Sequence, residues 1–330
     1  MPIRFLLSLS LGLGLVGAVR ADVPNVATDI APVHSLVARV MLGVGEPALI
    51  VPPLASPHGH AMRPSEAAAL EGADLVIWMG EALTPWLEGA IETLASDAQV
   101  IELLGAGRSR VLPFREGVAF AAHDHGEDKH EAQGQAGQSD EDHAAHADDA
   151  AHDHDHVHEG ADPHAWLDPM NARIWLDVIA KELAEHDPDN AAVYAANATA
   201  AQAELDALAS EIAAQVAPVR GKPFLVLHDA YQYFEWAFDL SATGALALSD
   251  ASDPGPARIA QLRDLVREEN IVCVFSEPQF DPKLVRTVFG DMAGHGVLDP
   301  IGSDLAPGPD LYPQLLRNIA IALTGCLAAR

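Results

Sequence analysis

The chain has 330 residues, 49% of them apolar; that is too long for one small core and suits two lobes of ordinary domain size. The formal net charge is −29. Nucleic acid and anionic lipid are excluded as natural partners, because their phosphates would be repelled.

The first residues, MPIRFLLSLSLGLGLVGAVRA, place Arg4 ahead of an apolar stretch from Phe5 to Val16 and end at Val19-Arg20-Ala21. This reads as a secretory signal peptide over 1–21, cut after Ala21. Its apolar core is short for a membrane anchor. No later segment approaches membrane-spanning length, so a soluble, exported mature protein is expected.

Short β-rich runs then alternate with helical patterns. VPNVATDI reads as a strand and APVHSLVARVMLG as a helix with Val33, Leu36, Val37, Val40 and Met41 on one face and Gly43 as its stop. PALIVPPL is a second strand, RPSEAAALEG a short helix, ADLVIWMG a third strand, LTPWLEGAIETLA a helix and AQVIEL a fourth strand. Such alternation implies a mainly parallel sheet covered on both faces.

The pattern stops at residue 123. Residues 123–159 hold nine His, twelve Asp or Glu and one Lys, with Val157 as the only large apolar residue. Such a segment cannot bury a core and reads as a disordered loop. A solvated acidic linker would explain the carboxylates but not His123, His125, His130, His143, His146, His152, His154, His156 and His158. Dense imidazole reads as low-affinity zinc capture.

Order resumes with DPHAWLDPMNARIWLDVIAKELAEHDP, a loop and a helix, followed by an Ala-rich segment from Asp189 to Pro218 with Leu205, Leu208, Ile212 and Val216 at helical spacing. After Pro218 the alternation restarts with KPFLVLH and ends in a helix near LYPQLLRNIAIALTGCLA. The expected division is an N-terminal α/β lobe over 22–187 including the acidic loop, a linking helix over 188–217 and a C-terminal α/β lobe over 218–330. Two cysteines, Cys273 in a strand-like run and Cys326 in the last helix, point to a disulfide in an oxidising compartment, the alternative being two buried free thiols.

Outside the loop the histidines are His34, His58, His60, His164, His186, His228 and His295. Open parallel sheets bind ligands beyond the carboxyl ends of their strands. His58 and His60 follow the second strand, His164 opens PHAWLDP, His228 ends a C-lobe strand and Asp299 ends the last strand. Two segments from each lobe can therefore meet in the cleft between lobes. Three imidazoles with a carboxylate or water make a tetrahedral shell suited to zinc. Taken singly, each of these histidines reads as a hydrogen-bonded, partly buried residue. His34 reads as a capping or supporting residue, His186 as a cation suiting a helix C-terminus, and His295 as an exposed turn. Trp166, Tyr231, Tyr233 and Trp236 read as core and cleft wall.

PVHSLVARVMLGVGEP, SPHGHAMRPSEAAALEGADLVIWMG, the acidic His-rich insert, DPHAWLDP, HDAYQYFEWAFDL, CVFSEPQF and GVLDPIG together resemble the ZnuA-type zinc-binding proteins of bacterial ABC transporters. The resemblance covers essentially the whole mature chain. It implies an α/β fold of two Rossmann-like lobes, with mainly parallel sheets, joined by one long rigid helix, and Zn2+ between them. On this resemblance the three ligand histidines fall on His58, His164 and His228, the C-lobe carboxylate on Asp299, and the disulfide on Cys273 and Cys326. Some members carry Glu just before the first histidine, where Pro57 stands here; His60 stands where Tyr is frequent and reads as an auxiliary group. Manganese-type relatives use a carboxylate where His228 stands, which favours zinc on softness.

The expected function is capture of Zn2+ in the periplasm and delivery to an inner-membrane ABC permease, by a monomer that is not an enzyme and that a periplasmic zinc chaperone supplies. The alternatives are a secreted zinc-dependent hydrolase, against which no H-E-x-x-H run occurs, a metal buffer without a transporter, or a manganese or iron carrier of the same fold.

Overall fold

The computed structural model describes residues 23–115, 117, 119–120, 160–247, 255–279 and 283–329. The expected signal peptide and all nine histidines of the acidic segment lie outside the described residues.

In chain order the N-terminal elements are β1 (Val26–Thr28), α1 (Ala31–Val40), β2 (Ala48–Leu49), α2 (Pro64–Glu71), β3 (Leu75–Trp78), α3 (Pro85–Leu94) and β4 (Gln99–Glu102). Then come α4 (Pro169–His186) and α5 (Ala191–Val216). The C-terminal elements are β5 (Phe224–His228), α6 (Gln232–Phe238), β6 (Gly244–Ala247), α7 (Pro256–Glu268), β7 (Cys273–Ser276), α8 (Lys283–Phe289), β8 (Gly294–Val297) and α9 (Leu311–Leu327).

The two four-stranded sheets are parallel throughout and share one topology, β2-β1-β3-β4 and β6-β5-β7-β8. In each, the first strand in sequence lies between the second and the third. The chain therefore leaves it in opposite directions on either side, which makes the switch-point crevice where open α/β sheets hold ligands. Strands β1, β3, β5, β6 and β7 are buried at every residue, as expected of parallel strands covered on both faces. The strands are shorter than the quoted runs; β2 has only two residues because Pro52 and Pro53 follow it closely and cannot donate to a ladder.

On the outer faces, α2 and α3 cover the first sheet and α7 and α8 the second, around two separate apolar clusters. The inner faces share one larger core that runs through both lobes and takes in α1, α4, α5 and α9. Helix α5 keeps a single buried stripe, Tyr194, Ala198, Ala201, Leu205, Leu208, Ile212 and Val216, at the three-and-four spacing of one helical face. Its 26 residues span about 39 Å. Asp168 caps α4 by accepting from Met170 N. Asp187 accepts from Asn190 and from the Tyr194 hydroxyl, which fixes the turn from α4 into α5.

Helix α9 crosses back to the first lobe. The Tyr312 backbone N–H donates to Ser35 Oγ on α1, and its hydroxyl donates to the Trp166 carbonyl. A disulfide between Cys273 and Cys326 ties β7 to α9. A side chain at Gly294 would come within 3.1 Å of both sulfurs, so β8 passes the bridge only as bare backbone.

His295 is exposed but lies inside β8, not in a turn, with Nε2 at 2.6 Å from the Gly290 carbonyl. His34 caps nothing, since it lies inside α1; its Nε2 meets the Pro47 carbonyl at 3.1 Å and ties the helix to the segment before β2. Burial pushes its imidazole below the ordinary value.

Candidate metal centre

Three separate pieces of chain supply the site. His58 stands in the loop between β2 and α2, where the Trp86 indole donates to the Pro57 carbonyl at 2.8 Å and pins the backbone one residue earlier. His164 precedes the single 3-10 turn Ala165–Leu167 that leads into α4. His228 is the last residue of β5. Both His164 and His228 are buried. Each of the three offers a ring nitrogen, and these atoms lie within 4.8 Å of one another; no other such group of three or more occurs among the described residues.

Two of the imidazoles are oriented by carboxylates. His164 Nδ1 lies 2.7 Å from Asp162 Oδ1, which also accepts the His164 backbone N–H at 3.0 Å. His228 Nδ1 lies 2.7 Å from Glu277 Oε1. A carboxylate accepts, so Nδ1 carries the proton in each ring and Nε2 keeps its lone pair for a ligand. These two Nε2 atoms face each other at 3.4 Å. Two nitrogens about 2.0–2.1 Å from one zinc at the tetrahedral angle are about 3.3–3.4 Å apart. The pair is thus already set at the spacing the ion requires.

Burial pushes the Asp162 carboxyl up, against the His164 backbone hydrogen bond and the charge of Arg115. Burial also holds the Tyr231 hydroxyl protonated, reinforced by the neighbouring carboxylates of Glu277 and Asp299. Pro57, Trp166, Gln279, Pro300 and Ile301 wall a small cavity shared with the three imidazoles. Trp166 lines it and donates from its indole to the Pro300 carbonyl at 2.7 Å, a hydrogen bond that closes one lobe on the other beside the imidazoles.

Asp299 is not brought into this group. Its Oδ1 accepts from the backbone of Ile301 and Gly302 and from the Ser303 hydroxyl, and its Oδ2 from Ser303 N at 2.6 Å. The side chain folds the turn that carries Pro300 and Ile301 to the cavity wall. His60 also points elsewhere: Nε2 meets Glu66 Oε2 at 2.8 Å and the ring packs edge-on against Trp86. His186 bonds Gln99 at the end of α4.

Sequence reasoning missed Glu277 and Asp162. A signal existed for each. Asp162 stands two residues before His164. The β5–β7 register pairs Leu225 with Val274, and three residues further along it sets His228 level with Glu277.

The family model described as "Zinc-uptake complex component A periplasmic" matches residues 26–326. A high-affinity zinc uptake system protein ZnuA of Brucella suis is 47% identical over 306 residues, covering 92% of each chain. The ZnuA of Paracoccus denitrificans is 42% identical over 330 residues, covering 99% of each. Among solved structures, a ZnuA deletion mutant with zinc bound superposes with a TM-score of 0.71 over 94% of this chain and 100% of its own, at 22% identity. A manganese complex of the binding protein FpvC from Pseudomonas aeruginosa reaches 0.72 at 19% identity, over 93% of this chain and 100% of its own; at those identities the likeness is one of fold. Three converging imidazoles and a match across both lobes agree: this chain belongs to the ZnuA family of periplasmic zinc-uptake components.

Proposed function

We propose that this chain is the zinc-binding component of an ABC uptake system, capturing one Zn2+ in the inter-lobe cleft through ring nitrogens of His58, His164 and His228. The single observation that carries the reading is the facing Nε2 pair of His164 and His228, each ring held by a carboxylate, with His58 alongside. Three neutral nitrogen donors suit a borderline-soft ion better than manganese or magnesium, which take oxygen donors. The ion is cargo, and no catalytic step is assigned.

The same reading places the mature chain in the periplasm, with cleavage after Ala21. It acts as a monomer, receives zinc from a periplasmic chaperone, and passes it to an inner-membrane permease. The nine histidines between His123 and His158 gather zinc weakly and raise its local concentration. No helix among the described residues is long and apolar enough to cross a membrane.

Calorimetric titration of metal-stripped protein tests the site. His228→Ala is expected to weaken the tight zinc event by more than about 100-fold, beyond the roughly 10–100-fold that losing an outer partner costs. An unchanged tight event in His228→Ala would put the site elsewhere.

A further inference from the structure

Gln279 stands two residues past Glu277 and lines the same small cavity as the three imidazoles. Its amide oxygen is buried and has no hydrogen-bond partner among the described residues. A buried acceptor left unmade is costly, and such a group calls for a donor.

The direction of the amide is fixed from behind. Asp299 accepts from three backbone N–H groups, so both its oxygens act as acceptors at the turn. The Ser303 hydroxyl therefore spends its one proton on Asp299 Oδ1, at 3.1 Å. Ser303 Oγ is then an acceptor toward Gln279, whose Nε2 lies 2.8 Å away and donates to it. With its nitrogen committed to Ser303, Gln279 can present only its oxygen to the remaining side. That oxygen can only accept.

A water bound to a metal has its lone pair on the ion and offers two protons. It is an obligate donor. We propose that Gln279 positions a water as the fourth ligand of the zinc, accepting one of its protons through Oε1. The relay from Asp299 through Ser303 keeps the amide turned the right way. This rests on the three-histidine reading above and extends it. It also gives Asp299 a role that matches where its side chain lies: it orients the residue that orients the water, and does not itself reach the ion.

The experiment uses the full mature chain, loaded with Zn2+ or Co2+, in the parent and in Gln279→Met, Gln279→Glu and Ser303→Ala. Zinc affinity is read by competition with a chelator, and the coordination sphere by the visible absorption of bound Co2+. Gln279→Met keeps the volume and removes the acceptor. It is expected to weaken zinc binding roughly 10–100-fold and to shift the cobalt bands. Gln279→Glu restores an acceptor and should recover most of the affinity. Ser303→Ala frees the amide to turn and should give a smaller loss in the same direction. Melting of the metal-free variants identifies any misfolded one, and Ser303→Ala then carries the test.

Parent-like affinity and an unchanged cobalt spectrum in both Gln279→Met and Ser303→Ala would overturn the inference, as would a carboxylate oxygen of Asp299 bound to the ion in the loaded parent. Failure of the three-histidine site itself is distinguishable, since it shows as His228→Ala retaining the parent's tight binding.

Discussion

Glu277 and Asp162 do for the imidazoles what no ligand can do for itself: they choose the tautomer. Glu277→Ala is expected to lower zinc affinity roughly 10–100-fold, and Glu277→Gln less, because its amide oxygen still accepts from His228 Nδ1; chelator competition at neutral pH reads both. A different carboxyl sets a pH dependence of stability. Asp29, at the end of β1, accepts from Ile30 N and Met79 N at 2.7 and 2.8 Å. Burial outweighs those bonds and pushes its pKa up to about 7. A group raised on folding binds its proton more tightly in the native state, so its contribution is full below about pH 4 and is lost as pH rises toward 7. Across that window the parent should lose stability relative to Asp29→Asn in denaturant titrations, and the difference should level off above pH 7; a difference independent of pH would mean that Asp29 does not titrate there. The pairings themselves were not read from the sequence, although Asp162 stands only two residues before His164. Asp299 shows why: its position at a strand end was readable, but its side chain is consumed by the N–H groups of residues 301–303, a turn that no hydrophobic period announces.

Secondary elements were the most legible layer, because short continuous apolar runs bounded by turn residues separate cleanly from period-3.6 patterns in this chain. The long helix read from Ala-rich sequence is 26 residues in the structure. What spacing could not give is how elements are tied. Residues 112–114 pair with 160–162, and the chain then crosses to the second lobe. There Phe120 N donates to the Thr243 carbonyl and Arg115 bonds Asp229 and Glu235 through its whole guanidinium. Arg115 is almost buried, with Phe120 stacked over it. Arg115→Met would leave two buried carboxylates uncompensated, which costs about 3–5 kcal/mol, visible as a lower Tm of the metal-free protein. Replacing both cysteines of the Cys273–Cys326 bridge, which spans 53 residues, should cost about 2–4 kcal/mol; a variant as stable as the parent would show that the apolar face and the hydrogen bonds of α9 hold it without the bridge.

The two lobes are joined by more than a linker. One apolar core passes through both, α5 runs its length, and α9 returns from the second lobe to bond Ser35 and the Trp166 carbonyl. Wide hinge opening would break that core, so metal entry and release are expected to need only small shifts of the loops bearing His58 and Pro300. Zinc binding to the native state alone stabilises it by about 4 kcal/mol at 1,000 times the dissociation constant. Saturating zinc should therefore raise the Tm of the parent and leave that of His228→Ala nearly unchanged. The repeated strand order of the two sheets was legible only as alternation, since crossing order is set by packing between distant segments. The candidate histidines were read as following strands, but only His228 ends one; His58 and His164 come from loops, and their geometry came only with the fold. The most direct test is diffraction from crystals of the zinc-loaded chain at the zinc absorption edge. The account predicts one strong anomalous peak in the cleft, about 2.0–2.1 Å from a ring nitrogen of each of His58, His164 and His228; a peak elsewhere, or those three rings turned away from it, would contradict it.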